Sequence, residues 1–194
     1  MPAGPGEVDM RVVMAGVLGG VLLFLWGMVA HMMLPFSENA MLQIPDEERV
    51  IAAAQGNITQ SGVYFFPYVN YMQASPQEQD AYAAKLARGP SGLLVVRAGG
   101  YDMDMIPELP IEAISNILAA LLAAMVVWGL RVATYGRRVA SIFAFGVVAW
   151  LSVCVSQWTW YGFSTPFLIS DLVDQWGGWL VAGLGMAAVL RPRA

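Results

Sequence analysis

Hydrophobic positions along this chain fall into long uncharged runs, separated by short arginine-bearing turns and one long mixed stretch. Runs of this length predict membrane spans instead of core helices of a soluble domain. The first, Val12 to Leu34, carries no formal charge apart from a titratable His31, and it follows Arg11. At about 1.5 Å per residue it covers a hydrocarbon core of about 30 Å. No small-x-small cleavage site follows it, so it reads as an uncleaved anchor and not as a signal peptide. A second run, residues 113–130, lies between Glu112 and Arg131, and a third, residues 139–161, follows Arg137 and Arg138. The last apolar stretch, Trp176 to Leu190, is short by itself, so a fourth span is predicted to start near Asp171 and to include Asp174.

Between the first two runs the pattern changes to short periodic pieces with strong punctuation. Pro45, Asp46, Glu47 and Glu48 open a helix predicted to reach about Gln55, and Gly56 ends it. Ser75-Pro76-Gln77-Glu78 announces a second helix, with serine as cap, proline in the first turn and a glutamate placed to complete a capping box; Gly89-Pro90 closes it. Val63-Tyr64-Phe65-Phe66 and Leu93-Leu94-Val95-Val96, bounded by Gly62, Pro67, Gly92 and Gly99-Gly100, read as short strands. The predicted fold class is an all-α integral membrane four-helix bundle with a small external α+β cap inserted between spans one and two. Its segments are an N-terminal tail 1–11, span 12–34, cap 35–112, span 113–130, loop 131–138, span 139–161, loop 162–170, span 171–190 and a tail 191–194.

Composition agrees with this reading: 58% of the 194 residues are hydrophobic and 12% charged, outside the soluble globular range. A net charge of -4 without a basic cluster excludes nucleic acid as a partner. The single cysteine, Cys154, lies inside an apolar run, reads as a packing residue, and rules out an internal disulfide framework. Arg11, Arg131, Arg137, Arg138, Arg191 and Arg193 all flank runs on one side, which predicts a multi-pass bacterial inner-membrane protein with both termini cytoplasmic. Twelve of the fourteen acids, counting Asp171 and Asp174, then face the periplasm with Arg49, Lys85, Arg88 and Arg97.

The helix faces carry the candidate chemistry. Gly16, Gly20, Gly27 and His31 fall within roughly 60° of one another on span one, and Asp171, Asp174, Gly178, Ala182 and Gly185 share a face of span four. The two stripes are expected to meet. Span two offers Asn116, Ala120 and Ala123, and span three Ser141, Ser152, Ser156 and Thr159. If these faces converge, the outer end gathers His31, Asn116, Gln157, Asp171 and Asp174 beneath Trp158, Trp160, Tyr161 and Trp176. Ionisable groups at membrane depth point to function by default, and a histidine beside a carboxylate titrates near neutral pH. The aromatic residues read first as interfacial anchors, and His31 with Asp174 first as a pair that fixes helix register. A lone His31 is a candidate axial ligand for a tetrapyrrole, but no second histidine and no C-x-x-C-H motif accompany it. One histidine and two carboxylates are too few for a metal site within the chain. The twelve methionines read as adaptable packing, with Met103, Asp104 and Met105 unassigned.

His31-Met32-Met33-Leu34-Pro35, Trp160-Tyr161-Gly162-Phe163 and Leu172-Val173-Asp174-Gln175 together resemble small bacterial four-span inner-membrane proteins of unknown function. The resemblance implies the topology and carries no activity with it. No phosphate loop, zinc-protease or nucleophile-elbow motif is present. The expected function is therefore a non-catalytic accessory or assembly subunit of a larger bacterial membrane complex, with an energy-transducing (respiratory or photosynthetic) complex as one candidate, its partners being lipids and other membrane subunits. The alternative is a small oligomeric transporter or proton- or lipid-handling protein that uses His31 and Asp174. A third reading is an enzyme acting on lipid or quinone, with Asp174 as base and His31 as acid.

Overall fold

Asp9 starts the first helix by accepting a hydrogen bond from the Arg11 N–H at 2.9 Å, and α1 then runs over Met10–Met32. The computed structural model describes residues 9–36, 40–102 and 106–191. Arg193, Met103, Asp104 and Met105 lie outside the described residues. The chain divides into two units, residues 43–103 with 159–162 forming one and the rest the other.

In the larger unit α1 is followed by α4 (Glu108–Gly129), α5 (Tyr135–Ala149), a π-helical turn over Trp150–Cys154, α6 (Val155–Tyr161) and α7 (Thr165–Val189). Met10–Met32, Glu108–Gly129 and the continuous Tyr135–Tyr161 are long and apolar enough to cross a membrane. The fourth long helix, α7, is not among them; it carries Asp171, Asp174 and Gln175 in its first half. It also begins before the expected start at Asp171, because the Ser164 hydroxyl caps the Phe167 N–H at 3.2 Å and Pro166 suits the first turn. Most of the expected 162–170 loop is thus helical.

Packing follows the glycines, but not as one stripe against another. A Cβ on Gly16 would stand 2.8 Å from the Leu121 Cα, and one on Gly20 would overlap the Ile117 backbone, so α1 lies directly on α4. Gly19 receives Met186 of α7, Gly185 receives Leu22 and Leu18, and Gly177 receives the Trp26 ring. Gly16 and Gly20 are thus spent on the α4 backbone, while Gly19, Gly177 and Gly185 are holes for large side chains between α1 and α7, so the two small-residue stripes do not face each other. Gly27 meets nothing within 4 Å. On the other side of α7, Gly146 of α5 sits 2.6 Å, at its would-be Cβ, from the Gln175 carbonyl oxygen. The helices therefore order as α4, α1, α7, α5, with α4 and α5 barely touching. The core is concentrated towards the end that holds both termini: Ala15, Ala120, Ala123, Ala124, Ile142, Ala182, Met186 and Ala187 are wholly enclosed.

The smaller unit contains α2 (Glu47–Asn57), β1 (Gly62–Phe66), α3 (Pro76–Arg88) and β2 (Gly92–Val96). The strands pair antiparallel, with Tyr64 opposite Leu94. At the start of α3 the capping box is complete: the Glu78 N–H donates to Ser75 Oγ at 3.3 Å, and the Ser75 N–H and hydroxyl each donate to Glu78 Oε2 at 2.8 Å. Ser75→Ala is expected to cost about 1 kcal/mol of local stability, read as faster amide exchange confined to the first turns of α3. Exchange unchanged there would show that the cap does not hold the helix.

The backbone and hydroxyl hydrogen bonds from Ser75 hold the Glu78 carboxyl below its ordinary value of 4.5. A lowered folded pKa stabilises the helix start fully above the ordinary value, and that contribution is lost as pH falls through the lower folded value. Protection of the first turn of α3 should accordingly be flat from neutral pH down to about the carboxylate range and fall only below it.

Candidate functional site

Helical spacing places Asp171 and Asp174 on one side of α7, and antiparallel packing brings that part of α7 to the end where α1 stops. His31, in the last turn of α1, exerts its charge on both carboxylates. The buried Cys154 thiol, in the π-helical turn, donates a hydrogen bond to the Asp171 carboxylate. Glu112 of α4 stands close enough for its charge to act on Asp174, and Asn116 Nδ2 donates to Glu112 Oε1 at 3.1 Å. All four long helices contribute to this knot.

Its members differ from the expected set. His31 is within electrostatic reach of Asp171 and Asp174, and Asn116 is bonded to Glu112, which acts on Asp174. Gln157 contributes its backbone carbonyl, which accepts from the Phe163 N–H at 3.5 Å and helps close the turn into α7. Cys154 and Glu112 are the members that sequence reasoning missed. Glu112 had a signal, since it precedes Asn116 by one helical turn. Cys154 had none, because its orientation depends on the π-helical turn.

The aromatic residues also separate. Trp158, Trp160 and Tyr161 are exposed, and Trp158 Nε1 donates to Thr165 Oγ1 at 3.3 Å. Trp176 instead packs inward, edge-on to Phe143 and Trp150 with ring centroids 5.7 and 5.8 Å away. Trp150 in turn donates its Nε1–H to the Leu168 carbonyl at 3.0 Å, tying the π-helical turn to α7. The expected face of Ser141, Ser152, Ser156 and Thr159 is broken by that turn, and the Ser152 hydroxyl bonds back to the Val148 carbonyl at 2.7 Å.

Chemically, an imidazole at the end of α1 lies within electrostatic reach of two carboxylates, Asp171 and Asp174. The thiol is buried and engaged with a carboxylate, so it is not presented as a nucleophile. Among the described residues no group of three histidine, cysteine or acidic side chains is arranged to hold a metal ion. Towards the other end of the helices Ala120, Ala123, Ala124, Ala182 and Met186 are enclosed, with Arg138 the buried polar side chain among the described residues. Comparison with known protein families, curated proteins and solved structures found no match to this chain.

Proposed function

We propose that this chain is a non-catalytic accessory or assembly subunit of a larger membrane protein complex, anchored by four membrane-crossing helices with both termini on the cytoplasmic side. In this reading residues 43–102 project on the opposite face and dock another subunit's extramembrane region. One observation carries it: among the described residues of 43–102, none is buried. Neither α2 nor α3 makes extended contact with another element. Tyr71 meets Tyr82 edge-on at 6.5 Å, but Tyr68 is 75% exposed, Met72 95% and Val95 70%. A segment of this length that folds for itself alone encloses some apolar side chains; one that leaves them all accessible has surface to offer.

The enclosed small and apolar side chains at the termini end, Ala120, Ala123, Ala124, Ala182 and Met186 among them, support the same reading, since they pack helices closely together. Mild detergent extraction, affinity capture and quantitative mass spectrometry should recover a stoichiometric membrane partner. Tyr68→Ala combined with Met72→Ala should weaken that capture roughly tenfold or more, as loss of exposed anchors at an interface does. Recovery of the unaltered chain as a stable monomer without a partner would refute the proposal.

A second reading, a proton- or lipid-handling protein, draws on the convergence of His31, Asp171 and Asp174. It requires that His31→Ala or Asp174→Asn abolish a pH-dependent flux in proteoliposomes while partner capture is retained. Unchanged flux removes it.

A further inference from the structure

Arg138 is only 5% exposed, yet no carboxylate neutralises it among the described residues. Its Nε donates to the Ala187 carbonyl at 3.1 Å, and its Nη1 donates to the Ala133 and Val132 carbonyls at 2.6 and 3.3 Å. These dipoles solvate the guanidinium without cancelling its charge, and a buried uncompensated charge is costly. Among the described residues Nη2 has no acceptor, which leaves one nitrogen of the fork without a hydrogen bond.

Further positive charge stands at the same end of the helices. Arg11 Nη1 reaches across to the Arg191 carbonyl at 2.8 Å, joining the start of α1 to the end of α7. Arg137 is exposed beside Arg138 in the first turn of α5, which Thr134 caps. Arg131 closes α4 at φ 49, a left-handed position that glycine fills without strain and arginine occupies at a cost. Asp9 is the one carboxylate here among the described residues, and it caps α1. The start of α5 adds the positive end of a helix dipole.

We propose that this end binds a phosphate-ester anion through Arg138, Arg137 and Arg131, and that the anion is the headgroup of an anionic phospholipid. The lipid source rests on the proposal that these helices lie in a membrane, which sets the arginines at headgroup depth. A planar guanidinium with one nitrogen lacking an acceptor among the described residues suits a phosphate oxygen, and flanking arginines supply the charge that distinguishes an anionic from a zwitterionic lipid.

The experiment uses the full chain. A chain that needs no detergent for extraction overturns the membrane premise and the lipid site with it. In neutral detergent, native mass spectrometry and thermal unfolding are recorded with phosphatidylglycerol, phosphatidylcholine or inorganic phosphate. Phosphatidylglycerol should be retained at defined stoichiometry and raise the unfolding midpoint, and phosphatidylcholine should do neither. An equal response to inorganic phosphate supports the anion site but overturns its lipid source. Arg138→Gln should abolish the preference. Because that variant can fail to fold, Arg131→Gln and Arg137→Gln, at exposed positions, are tested as well, and each should lower phosphatidylglycerol affinity roughly fivefold. Equal binding of the two lipids, or a preference untouched in all three variants, overturns the site.

Discussion

Gly20→Val should destabilise the helical unit by about 3 kcal/mol or more, read as a lowered midpoint in a detergent-to-dodecyl-sulfate unfolding titration. The reason is that the new Cβ has no flexible neighbour to displace. It meets the Ile117 backbone, with the amide nitrogen 2.6 Å away, so α1 and α4 must part along their length. A separation of about 1 Å forfeits a quarter to a half of each facing dispersion contact. In a membrane there is little hydrophobic gain between helices to compensate, because lipid tails are as apolar as leucine. Gly27→Val is the control: nothing lies within 4 Å of its would-be Cβ, and the midpoint should move little. If both variants behave alike, close approach at Gly20 is not what holds α1 to α4.

Arg138→Met should cost about 3 kcal/mol, as three acceptors lose a charged donor at once. Methionine keeps much of the apolar stem, so the loss reports the guanidinium and not a cavity. The effect should be regional. Amide exchange should rise in the last turn of α7 around Ala187 and in the 130–134 connection, while the ladder of β1 and β2 stays as protected as before. Arg138→Lys should recover only part of the stability, since an ammonium cannot span acceptors on two segments as the fork does. Full recovery with lysine would mean that charge alone, without geometry, holds these ends together.

What was legible in the sequence was local. The Ser75 and Glu78 box, the strands between glycines and the length of the first three apolar runs are encoded locally, and each is present; the fourth expected span is helical but is not among the helices apolar enough to cross a membrane. That His31 and Asp174 stand at the same end of their helices followed from alternating direction, but their stripes were expected to face each other and do not, so the sequence left open whether the two side chains meet. The start of α7 was written in Ser164 and Pro166, but hydrophobic length outweighed those cap signals. The partners of the glycines were not legible, because a hole states only that something large fills it. Ile117, Leu121, Met186 and Trp26 are supplied by other parts of the chain. Cys154 was hidden for a related reason: a change of helical pitch has no marker in this sequence, and it decides where every later side chain points.

That change of pitch, over Trp150–Cys154, lets one helix serve two masters. Its first half must present Gly146 to Gln175 and Trp179, and its continuation must present Cys154 to Asp171. A π-helical turn carries one residue more than the α-helix it interrupts, so everything beyond it is turned by roughly 100°. The segment is therefore a phase adjuster between two contacts whose spacing an even helix does not match. It also makes the chain unusually tolerant at one place: loss of a single residue from 151–153 can be absorbed as a return to ordinary pitch, with the backbone still helical. The penalty would appear in azimuth, with Trp158, Trp160 and Tyr161 facing a new direction on a helix that remains intact.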